Sequence, residues 1–138
     1  MNALALRRGL QSYTISSREA DVDLATPHRL VQALYEGALT GINIAKGAAL
    51  NGNLEVRSAQ TTLVLGILTG LMETLNLGAG GNLAQDLYDL YAYMQKRLFE
   101  AVSRADISAY DEVSRLLREI KAGWDAIPQN LHHGVDTR

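Results

Sequence analysis

His28, His132 and His133 are the only imidazoles in this 138-residue chain, and the chain has no cysteine. Those two facts already narrow the chemistry. His28 falls at the second position of an expected helix, beside its positive dipole end, where it reads as a surface residue. The pair His132 and His133 lies in a tail segment and does not make up a metal ligand set. A carboxylate-bridged di-iron bundle would need Glu-x-x-His motifs from two helices, and the sequence contains none. A phosphotransfer bundle would need an exposed histidine in mid-helix, which is also missing. The stretch "LGAGGN" (77–82) is rich in glycine, but it follows a helix rather than a strand and lacks the lysine of a phosphate loop. It reads as a turn between helices. The last enzyme class to weigh is a small helical enzyme with arginines and a carboxylate aimed into a bundle. Its candidates would be Arg57, Arg97, Arg104, Arg115 and Arg118. Most fall on polar faces, and Arg57, within an apolar arc, sits only at a helix start. No cofactor or metal is implied, and the expectation is a protein that is not an enzyme.

Bulk composition agrees with a binding or structural role. Apolar residues make up 47% and charged residues 20%, as in an ordinary globular domain. A net charge of −2 argues against a nucleic-acid binder, which would carry a basic stripe. The absence of cysteine suits a reducing cytoplasm. "MNALALRRGL" has no long apolar region and is not a signal peptide. The longest uncharged run, from Ser58 to Met72, falls short of the roughly 20 residues that a membrane span requires.

Helix punctuation is clear. Thr26 and Pro27 read as N-cap and first position of a helix that runs to about Asn51, where Gly52 can end it in a left-handed conformation. Asn53 is placed to cap a second helix ending near Leu77. Asn82 is placed to cap a third, reaching about Ala105. Asp106 or Ser108 starts a fourth, which ends before Pro128. No segment alternates with period two for long enough to suggest a sheet. Four helices of roughly 20 to 25 residues with short connections predict an all-α, antiparallel up-down four-helix bundle. The expected division is a 1–24 leader, a 25–127 bundle and a 128–138 flexible tail. In the leader, Leu6, Leu10 and Tyr13 share one face of a short amphipathic segment.

Three helices have ordinary patterns. The fourth has a clean seam of Tyr110, Val113, Leu117, Ile120, Trp124 and Ile127. The third uses Leu83, Leu87, Leu90, Tyr91, Met94, Leu98, Ala101 and Val102. In the first, Gly37, Ala38, Gly41, Ala45, Ala48 and Ala49 permit close approach by a neighbouring helix or by an extended peptide, and close packing inside the bundle is the favoured reading. The second helix differs. Leu63, Val64, Leu65, Ile67, Leu68, Leu71, Met72 and Leu75 cover roughly 200° of its circumference, more than the apolar stripe a surface helix needs. Thr62, Gly66, Thr69 and Glu73 occupy the other side. One edge of that arc is left for a partner, for a second copy, for the leader acting as a lid, or for a bundle tight enough to hide it.

The residues also resemble a known family. "LATPHRLVQALYEGAL" (24–39) and "LYDLYAYMQKRLFEAVSRADISAYDEVSRLLREIKAGWDAI" (87–127) are similar to the flagellin-specific export chaperones of the FliS family. The matching positions are Ala25-Thr26-Pro27, then Leu34, Tyr35, Glu36 and Gly37. In the third helix they are Leu90, Tyr91, Tyr93, Met94, Lys96, Arg97 and Leu98. They continue through Ala105-Asp106, where the family has an Asn-Asp turn, to Glu112-Val113, Leu116 or Leu117, and Gly123-Trp124. Lys96 stands where the family pattern has arginine. The resemblance spans about residues 10 to 127.

What the resemblance implies is a cytoplasmic chaperone that binds the disordered C-terminal segment of flagellin in a long apolar groove. Such a chaperone prevents premature polymerisation and hands flagellin to the flagellar type III export apparatus. The export gate protein and the flagellar anti-sigma factor are the other expected partners. The expected client-groove residues are Ile67, Leu68, Leu71 and Leu75 of the second helix, with Tyr88, Tyr91, Tyr93, Met94 and Leu98 of the third. Leu10 and Tyr13 match the family's leader pair for lid or export-gate contact. Tyr88, Tyr93 and Phe99 lie off the centre of the third-helix stripe and suit an exposed rim. Core and groove share one stripe, so the pattern leaves each apolar residue open between them. The alternative is a structural helical bundle that dimerises through its exposed apolar edge.

Overall fold

A computed structural model describes residues 26–75 and 77–126. Leu10, Tyr13, Ile127 and both histidines of the tail lie outside the described residues. The elements are α1 (Pro27–Leu50), α2 (Leu54–Glu73), α3 (Leu77–Ser103) and α4 (Ile107–Ala126). They form a four-helix bundle, and no strand occurs among the described residues.

Local chemistry sets the helix boundaries. Thr26 caps α1 by accepting from Arg29 N–H at 3.2 Å, with Pro27 just inside. Asn53 caps α2 through Val56 N–H at 3.2 Å. The Asp106 carboxylate takes Ser108 N–H at 3.1 Å at the start of α4. At the far end of α1, Asn53 N–H reaches Ala48 C=O at 2.8 Å and Gly52 N–H reaches Ala49 C=O at 3.3 Å. This is a Schellman closure, with Gly52 at φ 77° in the left-handed position that glycine adopts at little cost. Two boundaries differ from the sequence reading. α2 stops at Glu73 rather than near Leu77, because Thr74 and Leu75 tighten into short-range bonds to Gly70, Leu71 and Met72. Thr74 Oγ1 also donates to Leu71 C=O at 2.7 Å. α3 begins earlier than expected, but a break at Gly81 (φ 59°, ψ −143°) separates its first turn from the helix that resumes at Asn82.

The end of α3 repeats the Schellman geometry with the wrong residue for it. Asp106 N–H bonds Ala101 C=O at 3.2 Å, and Ala105 holds the left-handed position at φ 52°. A Cβ there costs roughly 1–2 kcal/mol, which glycine avoids and asparagine reduces.

Polar pairs fix helix directions. Between α1 and α4, Gln32 meets Asp125 at 2.8 Å, Glu36 meets Lys121 at 4.0 Å and Lys46 meets Asp111 at 2.6 Å. Each step up α1 is matched by an equal step down α4, so the two run antiparallel. Between α3 and α4, Arg97 pairs with Asp106 and Tyr93 with Glu112, which again sets opposite directions. α1 packs closely on α2 at Gly41, where a Cβ would lie 2.6 Å from Val64 Cγ2. Gly41 therefore serves close packing inside the bundle.

The core is a single cluster contributed by all four helices. Two buried polar contacts cross it diagonally. The Tyr35 and Tyr91 hydroxyls hydrogen-bond each other, joining α1 to α3. Tyr110 and Thr61 hydroxyls meet at 2.9 Å, joining α4 to α2. Thr61 already donates to Arg57 C=O at 2.7 Å, so Tyr110 must be the donor in that pair. Burial raises the Tyr35 phenol well above its ordinary range and pushes Tyr91 up to about 12. Both stay protonated.

Two stability predictions follow from these contacts. Ala105→Gly should raise stability by about 1 kcal/mol, read from the urea midpoint. Tyr35→Phe strands the buried Tyr91 hydroxyl and should cost about 1–3 kcal/mol, while adding Tyr91→Phe should recover part of that loss. Strictly additive losses in this cycle would show that the two hydroxyls do not depend on each other.

Candidate functional site: an apolar groove between α3 and α4

The α3–α4 seam is held by polar contacts at one end and bare at the other. At the α3 C-terminal end, Arg97 is surrounded by carboxylates. It reaches Glu112 at 2.7 Å, Glu100 at 2.8 Å and Asp106 at 3.3 Å. Tyr93 donates its hydroxyl to the other oxygen of Glu112 at 2.5 Å. Glu112 is held below the usual carboxylate range, first by the Tyr93 hydroxyl and then by Arg97. Asp106 is likewise lowered, first by Ser108 and then by Arg97.

Towards the opposite end these polar contacts give way to apolar side chains. Leu83 and Leu87 of α3 face Ile120, Gly123 and Trp124 of α4 across a cavity of about 300 Å³, with Tyr35 also in its wall and Glu119 at its edge. Leu83 is 57% exposed although it belongs to an apolar stripe. A Cβ built on Gly123 would meet nothing within 4 Å, so the cavity is open on that side. The Trp124 ring stacks on His28 of α1, with ring centroids 5.7 Å apart and planes 17° from parallel. The Tyr35–Tyr91 contact holds Tyr35 in place. The result is a recess with a rigid aromatic wall, suited to an apolar side chain.

The expected site residues divide by depth. Ile67, Leu68, Leu71, Tyr91, Met94 and Leu98 are buried in the core; they back the surface rather than form it. Leu75 and Tyr88 are half-buried. Tyr93 and Phe99 are 41% and 66% exposed, and Tyr93 lies at the polar end of the seam with Glu112. On α2 the arc is covered at its centre, while Leu63, Leu65, Met72 and Leu75 remain half-buried at its margins. Gln95 crosses from α3 to α2, donating to Leu65 C=O at 3.2 Å and Thr69 Oγ1 at 2.9 Å. The sequence reading missed the recess, because Leu83, Leu87, Ile120 and Trp124 read there as seam. The available signal was their place at the helix ends, close to Gly81.

Among the described residues, no group of three or more His, Asp or Glu could hold a metal ion. No described helix is long and apolar enough to cross a membrane. Arg104, Arg115 and Arg118 are exposed, Arg57 is half-buried near the start of α2, and Arg97 is engaged with carboxylates.

Comparison with known proteins is decisive. The family model for the flagellar protein FliS matches residues 9–131. The chain belongs to the FliS family. A flagellar secretion chaperone FliSB of Pseudomonas aeruginosa is 42% identical over 120 residues, covering 87% of this chain and 95% of that protein. The flagellar secretion chaperone FliS of Vibrio cholerae is 33% identical over 128 residues, covering 93% and 94%. Its Salmonella typhimurium counterpart is 32% identical over 120 residues, covering 86% and 89%. The FliS family is one of chaperones rather than enzymes.

The Arg97 cluster gives a pH prediction. Glu112 and Asp106 have lowered folded pKa values. Their contribution is therefore present above the ordinary carboxylate pKa of about 4 and lost as pH falls through the folded values. Arg97→Met should be less stable than the parent near pH 6, and the gap should close towards about pH 3. Urea midpoints across that range test this; a gap that stays constant would show that the contribution is not electrostatic.

Proposed function

We propose that this chain is a cytoplasmic export chaperone that holds the disordered C-terminal segment of flagellin. In that role it keeps flagellin from polymerising early and delivers it to the flagellar type III export apparatus. The observation that carries this reading is the open apolar recess of Leu83, Leu87, Ile120 and Trp124 on a chain of the FliS family.

The physical logic is coupled folding and binding. An amphipathic segment that is unstructured alone gains order by laying its apolar face in a groove. Such an event buries on the order of 1,000–3,000 Å² and costs several kcal/mol of ordering. A recess of about 300 Å³ takes one large side chain as an anchor, so the rest of the client must use neighbouring surface. Half-buried Leu75 and Tyr88 and the exposed rings of Tyr93 and Phe99 supply that surface. The core residues beneath, from Ile67 to Leu98, keep it rigid. No bond is made or broken, and no nucleotide or cofactor is required. Leu10 and Tyr13 are proposed to contact the groove as a lid, or the export gate protein. The flagellar anti-sigma factor is proposed as a further partner.

Calorimetric titration with a flagellin C-terminal peptide tests the reading. Binding should release or absorb heat and shift the emission of Trp124, the only tryptophan in the chain. Leu83→Asp, at an exposed position, should weaken binding by about tenfold or more, about 1.4 kcal/mol, with the melting temperature nearly unchanged. Deleting residues 1–14 should alter the affinity, and an unchanged value removes the lid. The absence of both heat and any change in molecular size on mixing would sink the flagellin assignment. A concentration-dependent dimer that excludes the peptide would favour a structural bundle instead.

A further inference from the structure

A second hollow, polar rather than apolar, lies between α1 and α4. It measures about 500 Å³, with Asn43 and Lys46 on one side and Asp111, Ser114, Arg115 and Arg118 on the other. Glu112 also borders it. Both carboxylates are engaged. Asp111 accepts from Lys46 Nζ at 2.6 Å, and Glu112 is bound by Arg97 and Tyr93.

The arginines are not matched in the same way. Arg115 pairs with Glu119 at 3.5 Å with both side chains more than half exposed, a pair of a kind that contributes little, and its charge also helps hold Glu112 ionised. Arg118 makes no ion pair among the described residues. Its Nη1 instead donates to Ser114 Oγ at 2.7 Å. Ser114 is only 5% exposed. A buried hydroxyl is thus committed to an exposed guanidinium. It fixes one N–H of the fork and leaves the others free for another acceptor. Holding a surface arginine in this way adds little to folding but prepares it to receive a carboxylate in two-point geometry.

We propose that this hollow docks a carboxylate-bearing segment of a partner protein. Arg118 acts as the fixed fork, and Arg115 and Lys46 add positive charge beside it. Nucleic acid is the poorer fit, because the chain carries a net charge of −2 and the three cations of the hollow stand among carboxylates rather than along a basic stripe. The site is separate from the apolar recess and does not depend on what occupies it.

The test uses the full chain, labelled with ¹⁵N, titrated at low ionic strength with a short synthetic peptide of alternating Glu and Ser. The same peptide with Gln for Glu is the neutral control. Amide shifts should centre on Lys46, Ser114 and Arg118, appear only with the acidic peptide, and weaken as salt is added. Arg118→Glu should reduce affinity about tenfold. Asp111→Asn, which releases Lys46, should increase it. Arg104→Glu, an exposed change at the end of α3, should leave it alone. All three positions are exposed, so folding is not at stake. Shifts that are absent, that spread evenly over basic residues elsewhere, or that survive Arg118→Glu would overturn the proposal. So would a single-stranded oligonucleotide that binds at these residues more tightly than the peptide.

Discussion

Much of this structure depends on the hydroxyl contact between Tyr35 and Tyr91. It joins α1 to α3 across the middle of the bundle, in a place where neither phenol has water as an alternative. Burying two hydroxyls is tolerable only if they satisfy each other. That requirement fixes how α1 and α3 face each other. It also sets one wall of the apolar recess, because Tyr35 is both partner and lining residue. The Tyr110–Thr61 contact does the same for the other diagonal, closer to the opposite end. A core of leucine and alanine alone could slide; these two points of polar registry resist it.

With the diagonals fixed, the seams between neighbouring helices are free to differ. The α1–α4 seam has polar pairs spread along its length. The α3–α4 seam concentrates its polar contacts around Arg97 and leaves its other end to leucine, isoleucine and tryptophan. A helix pair held by charge at one end and bare at the other keeps its backbone placement while offering apolar surface. This is the arrangement a binding protein needs if it is to stay folded before its client arrives.

The fold was largely legible in the sequence because its signals are local. Thr26, Asn53 and Asp106 are caps that act within a few residues, and the α4 seam from Tyr110 to Trp124 repeats without a gap. The α2 end was misplaced because Leu75 and Leu77 continue the apolar pattern past the point where Thr74 closes the helix. The site was much less legible. Ile67, Leu68, Leu71, Tyr91, Met94 and Leu98 are the most apolar positions of their stripes, and that same property places them at the bundle centre. Open apolar surface lies where a stripe outlasts its neighbours, as at Leu83 and Trp124, and this depends on which helix ends first. Periodicity carries no such information. Ala105 shows the reverse case, in which the family pattern is informative: asparagine there suits a left-handed residue, and this chain departs from it.

The stack of His28 on Trp124 has a topological consequence. It places the start of α1 beside the end of α4, so both ends of the described bundle lie next to the apolar recess. A segment tethered there meets the recess at an effective concentration on the order of millimolar. Contacts too weak to register between separate molecules would then compete measurably with an incoming client. In the proposed client binding, apparent affinity would be set jointly by the recess and by the sequence of whatever is attached at its edge. Two FliS proteins with identical grooves and different leaders need not bind the same client equally well.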